Sequence, residues 1–261
     1  RKWIWGILLA VVVAITAVDI VRISRYKVYP RRPESTIQLN ESQVYYDLAN
    51  GKSIANWGQL DGALEYIESE YDCSDFRLVN LIRILYEFND SIPTTYSQKI
   101  ENVLTNFRYW MDESGGNSMC YWSENHQILF ASAEYLMGQQ YSDRIFPNSG
   151  LSGEQHKSKA RHRILDWLQM RWHYGFTEFY SNVYYKVDIG APINLIDYAD
   201  DEEIVKKSQL ILDLLCYAVA SQSRSTLFVS VSARACEHQR KTGMMCDTAT
   251  CYLRSGTAVR R

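Results

Sequence analysis

Three features of the sequence predict an all-α chain. Apolar residues recur at helical spacing through most of residues 46–261, capping residues and acidic first turns precede those stretches, and strand-like alternation is confined to one short segment. Polar loops between the helices predict antiparallel hairpins. No repeat of about 34 or 40 residues is visible, which leaves an α/α toroid-like array or an irregular bundle. Six hairpins of about 30 residues or more need a longer chain, so an incomplete toroid is expected. The ending YLRSGTAVRR does not read as a domain end and predicts truncation at the C-terminus.

At the N-terminus, Trp3 to Val18 form the apolar run WIWGILLAVVVAITAV, preceded by Arg1 and Lys2 and followed by Asp19. The run is slightly short for a span of about 20 residues and long for the apolar region of a signal peptide. Thr16 and Ala17 offer a weak cleavage site. Arg22, Arg25, Lys27, Arg31 and Arg32 follow the run, a distribution that favours a cytoplasmic C-terminal side. Export is expected nonetheless, because the rest of the chain reads as an extracytoplasmic enzyme. Residues 1–26 are therefore assigned as a signal peptide or membrane anchor, 27–45 as a Pro- and charge-rich linker, and 46–261 as the helical domain. The expected location is membrane-anchored or secreted, with the N-terminal helix as the membrane contact.

Within the helical domain, Asp75–Phe88 places Phe76, Val79, Ile82 and Phe88 near one face, and Asp90 and Pro93 bound it. Thr94–Phe107 carries Ile100, Val103, Leu104 and Phe107 at three- and four-residue spacing. Ser123 is the expected N-cap of a helix running to about Gly138, with Ile128, Leu129, Ala133 and Leu136 inward. Gly153–Trp172 starts basic (His156, Lys157, Lys159, Arg161), turns apolar (Ile164, Leu165, Leu168, Trp172) and ends at Gly175. Asp188–Tyr198 is a short helix bent by Pro192. Asp201–Ala220 is the clearest helix, its acidic start matching the dipole and Ile204, Leu212, Leu215 and Val219 marking an inner face. TLFVSVSA, Thr226–Ala233, is the strand signal.

Composition narrows function. A formal net charge of -2 over 261 residues gives no electrostatic footprint for nucleic acid. Nineteen Tyr and seven Trp suit either aromatic core layers or grooves that hold sugars and other polar ligands. Six cysteines are too few for a disulfide scaffold, and Cys216 reads as core. Cys236, His238, Cys246 and Cys251 fit no usual zinc spacing, so neither metal nor cofactor is expected. Asn40 and Asn89 head Asn-x-Ser sequons, informative only if the host glycosylates its exports. A phosphate-cradling glycine loop and a Gly-x-Ser-x-Gly elbow are both missing from the sequence.

Three stretches are candidates for chemistry. WSENH, Trp122–His126, gathers Glu124, Asn125 and His126 at a helix start behind Trp122. Glu124 suits the dipole there as plain capping chemistry, whereas His126, kept neutral by the helix end, suits a general base. Asn125 is a donor for an anion, and Trp122 either a stacking platform or a staple. GFTEFYSNVYYKVD, Gly175–Asp188, crowds Glu178, Tyr180, Asn182, Tyr184, Tyr185 and Asp188 into one inter-helix segment. Such a segment must either pack into the core or line a cleft. The third stretch, Val229–Thr250, supplies Arg234 and Glu237, Arg being suited to carboxylates.

Taken in order, these motifs resemble a family of largely uncharacterised proteins with W-S-E-N-H, then G-F-[ST]-E-[WF]-x-S-N-x-Y-Y, then an Arg-containing segment. The resemblance covers about Tyr121 to Leu253. The helical pattern is similar to the α/α-toroid polysaccharide lyases and some glycosidases. A lyase-like role implies His126 as base, Tyr184 or Tyr185 as acid, and Asn125 and Arg234 as binders of a uronate carboxylate. A hydrolase-like role implies Glu124 and Glu178 as the carboxylate pair. Trp122, Tyr180, Asn182, Tyr185 and Glu237 complete the expected substrate contacts. The chain departs from the family's His-Gly-Arg at Ser232-Ala233-Arg234, which implies an impaired copy if that histidine is catalytic. The expected function is a carbohydrate-active enzyme acting on a polysaccharide or oligosaccharide. The rival expectations are a non-catalytic helical glycan-binding module and a structural membrane-tethered domain.

Overall fold

The computed structural model describes residues 2–24, 27–224, 227, 228, 231, 233 and 234. The chain forms two compact units, residues 1–30 and 31–261. The first is one helix, α1 (Lys2–Ser24), whose span Trp3–Arg22 has a mean hydropathy of 2.6. At 1.5 Å per residue its 20 residues reach about 30 Å, enough to cross a bilayer core. Such a helix is compatible with a signal peptide or a membrane anchor.

The second unit is all-α. Its helices are α2 (Glu41–Ala49), α3 (Asp61–Glu68), α4 (Ser74–Phe88), α5 (Thr94–Asn106), α6 (Glu124–Gln140), α7 (Gly153–Tyr174), α8 (Tyr185–Tyr198) and α9 (Glu202–Ser221). Short 3-10 turns cover Trp57–Leu60 and Asn89–Ser91. Among the described residues, β structure amounts to β1 (Ser223–Arg224) paired with β2 (Leu227–Phe228) and one bridge, Ile145 to Ser152. The strand expected over 226–233 is thus reduced to β2 where it is described; Val231 and Ala233 lie outside any strand. The expected linker also overshoots. α2 begins at Glu41, whose buried carboxylate takes a 2.7 Å ion pair from Arg77 of α4.

The end signals hold for physical reasons. Asp201 caps α9 by accepting from the backbone N–H groups of Glu203 and Ile204. Ser152 and Gln155 form a reciprocal capping box at the start of α7, and Gly175 closes it at φ 72°. Ser123 sits at the N-cap of α6 but does not cap it; its hydroxyl donates to Asn125 Oδ1 at 2.7 Å.

α6 is the centre of the fold. Every residue from Glu124 to Gly138 except Gln127 is buried, and α4, α7 and α8 all pack on it. α4 and α8 also touch each other, while α9 packs on α7 and α8. The three residues 199–201 between α8 and α9 force the chain to fold straight back, the helical counterpart of a hairpin. Asp75, in the first turn of α4, hydrogen-bonds His126 in the first turn of α6. Asp188, in the first turn of α8, lies against Glu124 of α6. The N-terminal ends of the three inner helices therefore meet. Three positive dipole ends collect there, which favours the carboxylates gathered among them.

Two expected core positions are corrected. Trp172 is exposed because it falls off the α7 face defined by Ile164, Trp167, Leu168 and Arg171. Cys216 is also exposed, since Ile204, Ser208, Ile211, Leu215 and Val219 form the buried face of α9.

Candidate functional site

The first turn of α6 sends its three polar side chains in three directions, about 100° apart, as helix geometry requires. Glu124 turns to α7. It pairs with Arg171 and accepts from the backbone N–H of Thr177 at 2.7 Å and from the Thr177 hydroxyl. The Trp167 indole donates to the Glu124 carbonyl at 2.9 Å, fixing the helix end against α7. His126 turns to α4, where its Nδ1 bonds Asp75 Oδ2 at 2.6 Å and its ring stacks on Phe76 at 5.1 Å. Asn125 turns to the segment between α7 and α8; its Oδ1 accepts from Arg234 at 3.4 Å, and Arg234 also pairs with Glu178.

Glu178, Asp188 and Glu124 are all buried, and one oxygen of each lies within 4.8 Å of the others. Arg171 and Arg234 neutralise two of them. Asp188 has no hydrogen-bond partner for either oxygen among the described residues, nor have Glu124 Oε1, Glu178 Oε2 and the Asn125 Nδ2 donor. Burial, then the nearby Glu124 charge, push the Asp188 carboxyl well above the usual carboxylate range, against a smaller opposing pull from Arg171. Asp75 is raised too, by burial, against the opposing pull of His126. Oxygen-only donors of this kind suit a hard divalent cation better than zinc.

The linkage has a definite sign. A carboxyl whose folded pKa lies above its unfolded value of about 3.9 binds more protons in the folded state. Stability is then fullest below that unfolded value and falls as pH rises towards the folded pKa. Asp188→Asn, which keeps the shape without the charge, should flatten part of this decline, leaving what is due to the other carboxyls raised by burial, Asp75 and Glu70 among them. Denaturant unfolding of both proteins at pH 5 and pH 8 measures it. Equal pH slopes in the two would show that Asp188 carries no such shift.

Beside this centre runs a groove of about 480 Å³ lined by Trp110, Trp122, Trp167, Glu124, Arg163 and Arg171, among others. Trp122 is 70% exposed, so it is no staple; its ring forms a wall of the groove. Arg163 lies over the Trp110 ring, 4.2 Å from its centre, and pairs with Glu134. Arg234, with 43% of its side chain exposed, lies 4.2 Å over the Tyr184 ring.

No family model, no curated protein and no solved structure matches the chain.

The structure brings Asn125, Glu178, Tyr184 and Arg234 together, and joins Glu124 to them through the carboxylate cluster. Tyr185 is corrected. It is core, and its hydroxyl accepts from the backbone N–H of Tyr180 at 2.8 Å, holding that loop residue at φ 46°. Asn182 is buried, and Tyr180 is half-buried with its ring edge against Phe179. Glu237 and the Cys236–Cys251 cluster lie outside the described residues. Sequence reasoning missed Asp75, Arg163 and Arg171 as members of the centre, and named Asp188 only as part of the crowded Gly175–Asp188 segment, without a role.

Proposed function

We propose that the chain is a carbohydrate-active enzyme working where the three inner helix ends meet, on an acidic polysaccharide. The observation that carries this is the His126–Asp75 pair, one residue from the Asn125–Arg234 pair. Asp75 Oδ2 on Nδ1 orients the imidazole and leaves Nε2 as the nitrogen to act as base. The Asn125 amide donor and the half-exposed Arg234 guanidinium suit the carboxylate of a uronate. Base removal of the proton next to that carboxylate puts negative charge on it. The sugar bond to the neighbouring oxygen then breaks, and Tyr184 protonates the leaving oxygen. Trp110, Trp122 and Trp167 are apt for stacking on sugar rings.

A hydrolase is the second reading, favoured by the carboxylate cluster. Carboxyls about 5 Å apart are the spacing for retention rather than inversion. Incubating the full chain with polyuronates and with neutral glycans separates the two. Elimination gives an unsaturated sugar with its ultraviolet absorbance, while hydrolysis gives reducing ends without it. His126→Ala should lower the elimination rate by about 10²–10⁴-fold. An unaltered rate in a folded variant removes His126 from the chemistry, and cleavage of neither substrate class removes the proposal.

A further inference from the structure

Away from that centre, where α7 leaves its preceding loop, a second set of side chains is arranged for acyl transfer. Ser149 Oγ lies 2.6 Å from His156 Nε2, and His156 Nδ1 lies 2.7 Å from Glu134 Oε1. A nucleophile, a base and an orienting carboxylate in hydrogen-bond sequence are the geometric signature of an activated serine. The order is Glu134 on α6, Ser149 on the loop, His156 on α7. Neither the proposed glycan chemistry nor the sequence motifs use these residues.

Proton positions follow from the partners. Lys159 lies 3.1 Å from Glu134, and Arg163 also pairs with it, so the carboxylate is ionised and can only accept. His156 Nδ1 must then carry the proton, and Nε2 presents its lone pair to the Ser149 hydroxyl. The imidazole stacks on Phe146 with ring centres 4.5 Å apart and is fully buried, which pushes its pKa down to about 4 and keeps it neutral. Ser149 Oγ also accepts from the backbone N–H of Leu151 at 3.1 Å, and the Phe146 carbonyl, at 3.4 Å, is a longer alternative acceptor for its hydroxyl than His156 Nε2.

The loop holds this arrangement firmly. Phe146 N–H donates to Leu151 O at 2.8 Å across the loop neck, and Gly150, at φ 73°, makes the turn that follows the serine. Ser149 is half-buried between exposed Pro147 and Gly150. Such partial burial favours a small acyl group such as acetyl over a bulky one.

We propose that Ser149, His156 and Glu134 form a second, esterase-type site that takes small acyl esters. Oγ attacks the ester carbonyl while its proton passes to His156 Nε2. The tetrahedral adduct collapses with loss of the alcohol, which takes that proton back, and Ser149 is left acylated. Water, activated by the same imidazole, then releases the acid.

The test uses the full chain with p-nitrophenyl acetate and a fluorophosphonate probe. A burst of nitrophenol equal to one acyl group per chain is expected, with the acetyl or phosphonyl mass mapped to Ser149. Ser149→Ala should abolish both. His156→Gln, whose melting curve reports folding, should slow labelling by about 10²-fold or more. Labelling that maps elsewhere, or a Ser149→Ala protein that still gives the burst, overturns the proposal. So does a folded His156→Gln protein that labels at the parent rate. Because the glycan site shares none of these residues, its His126→Ala variant should keep the burst.

Discussion

Arg171→Ala is expected to cost the fold about 3–5 kcal/mol, the penalty for leaving one member of a buried ion pair unpartnered. Both side chains of the Arg171–Glu124 pair are nearly inaccessible. Glu124 would keep its bonds from Thr177 but lose its cation, with Glu178 and Asp188 within 4.8 Å. Nothing else among the described residues is paired with it. Two further measurements separate this account from simple loss of packing against Trp167, over which the guanidinium sits at 5.3 Å. In the variant, acid should shrink the deficit, because the stranded carboxylate can then take a proton. Adding Glu124→Gln should restore much of the loss, since two neutral groups strand no charge. A deficit that ignores pH and is not relieved by the second change would mean the cation matters only for its stem.

That pair also shows why the all-α class and its helices were readable from sequence, whereas the toroid arrangement was not and the site only partly so. α4 to α9 have local signals: periodic apolar residues, the Ser152–Gln155 box, Asp201 and Gly175. α6 gave its boundaries but not its role. Its start reads as an amphipathic helix with a polar cap, yet Glu124, Asn125, His126, Ser132 and Glu134 are all buried. Their partners stand 22 to 109 residues away along the chain for Glu134–His156 and Asn125–Arg234. No local pattern encodes such pairings. Asp75 stands in the first turn of α4, where an acid suits the dipole, and Arg171 in the last turn of α7, where a cation does. Both descriptions are locally true, and neither says which buried charge the residue answers. Likewise the Pro- and charge-rich stretch before α2 looked like linker throughout, because the ion pair that buries Glu41 is made by Arg77.

Gly138→Ala is expected to destabilise the protein by about 2 kcal/mol or more, against the helix-propensity gain of about 1 kcal/mol that alanine brings. The gain loses because of where α6 and α7 meet. A methyl on Gly138 would lie 2.5 Å from the Gly153 carbonyl oxygen and 2.6 Å from the Lys157 backbone nitrogen. Those are main-chain atoms within the first five residues of α7, whose start the Ser152–Gln155 box holds, so they cannot swing aside as a side chain would. The helices must separate, and that same interface carries Trp167 to the Glu124 carbonyl, Arg171 to its carboxylate, and Glu134 to His156. The substitution should therefore weaken both polar centres at a distance, lowering the melting temperature and slowing fluorophosphonate labelling at Ser149 together. An alanine variant as stable as the parent would show that α6 and α7 have room to part. Loss of stability with unaltered labelling would show that the loop holds Ser149 and His156 together without the close helix crossing.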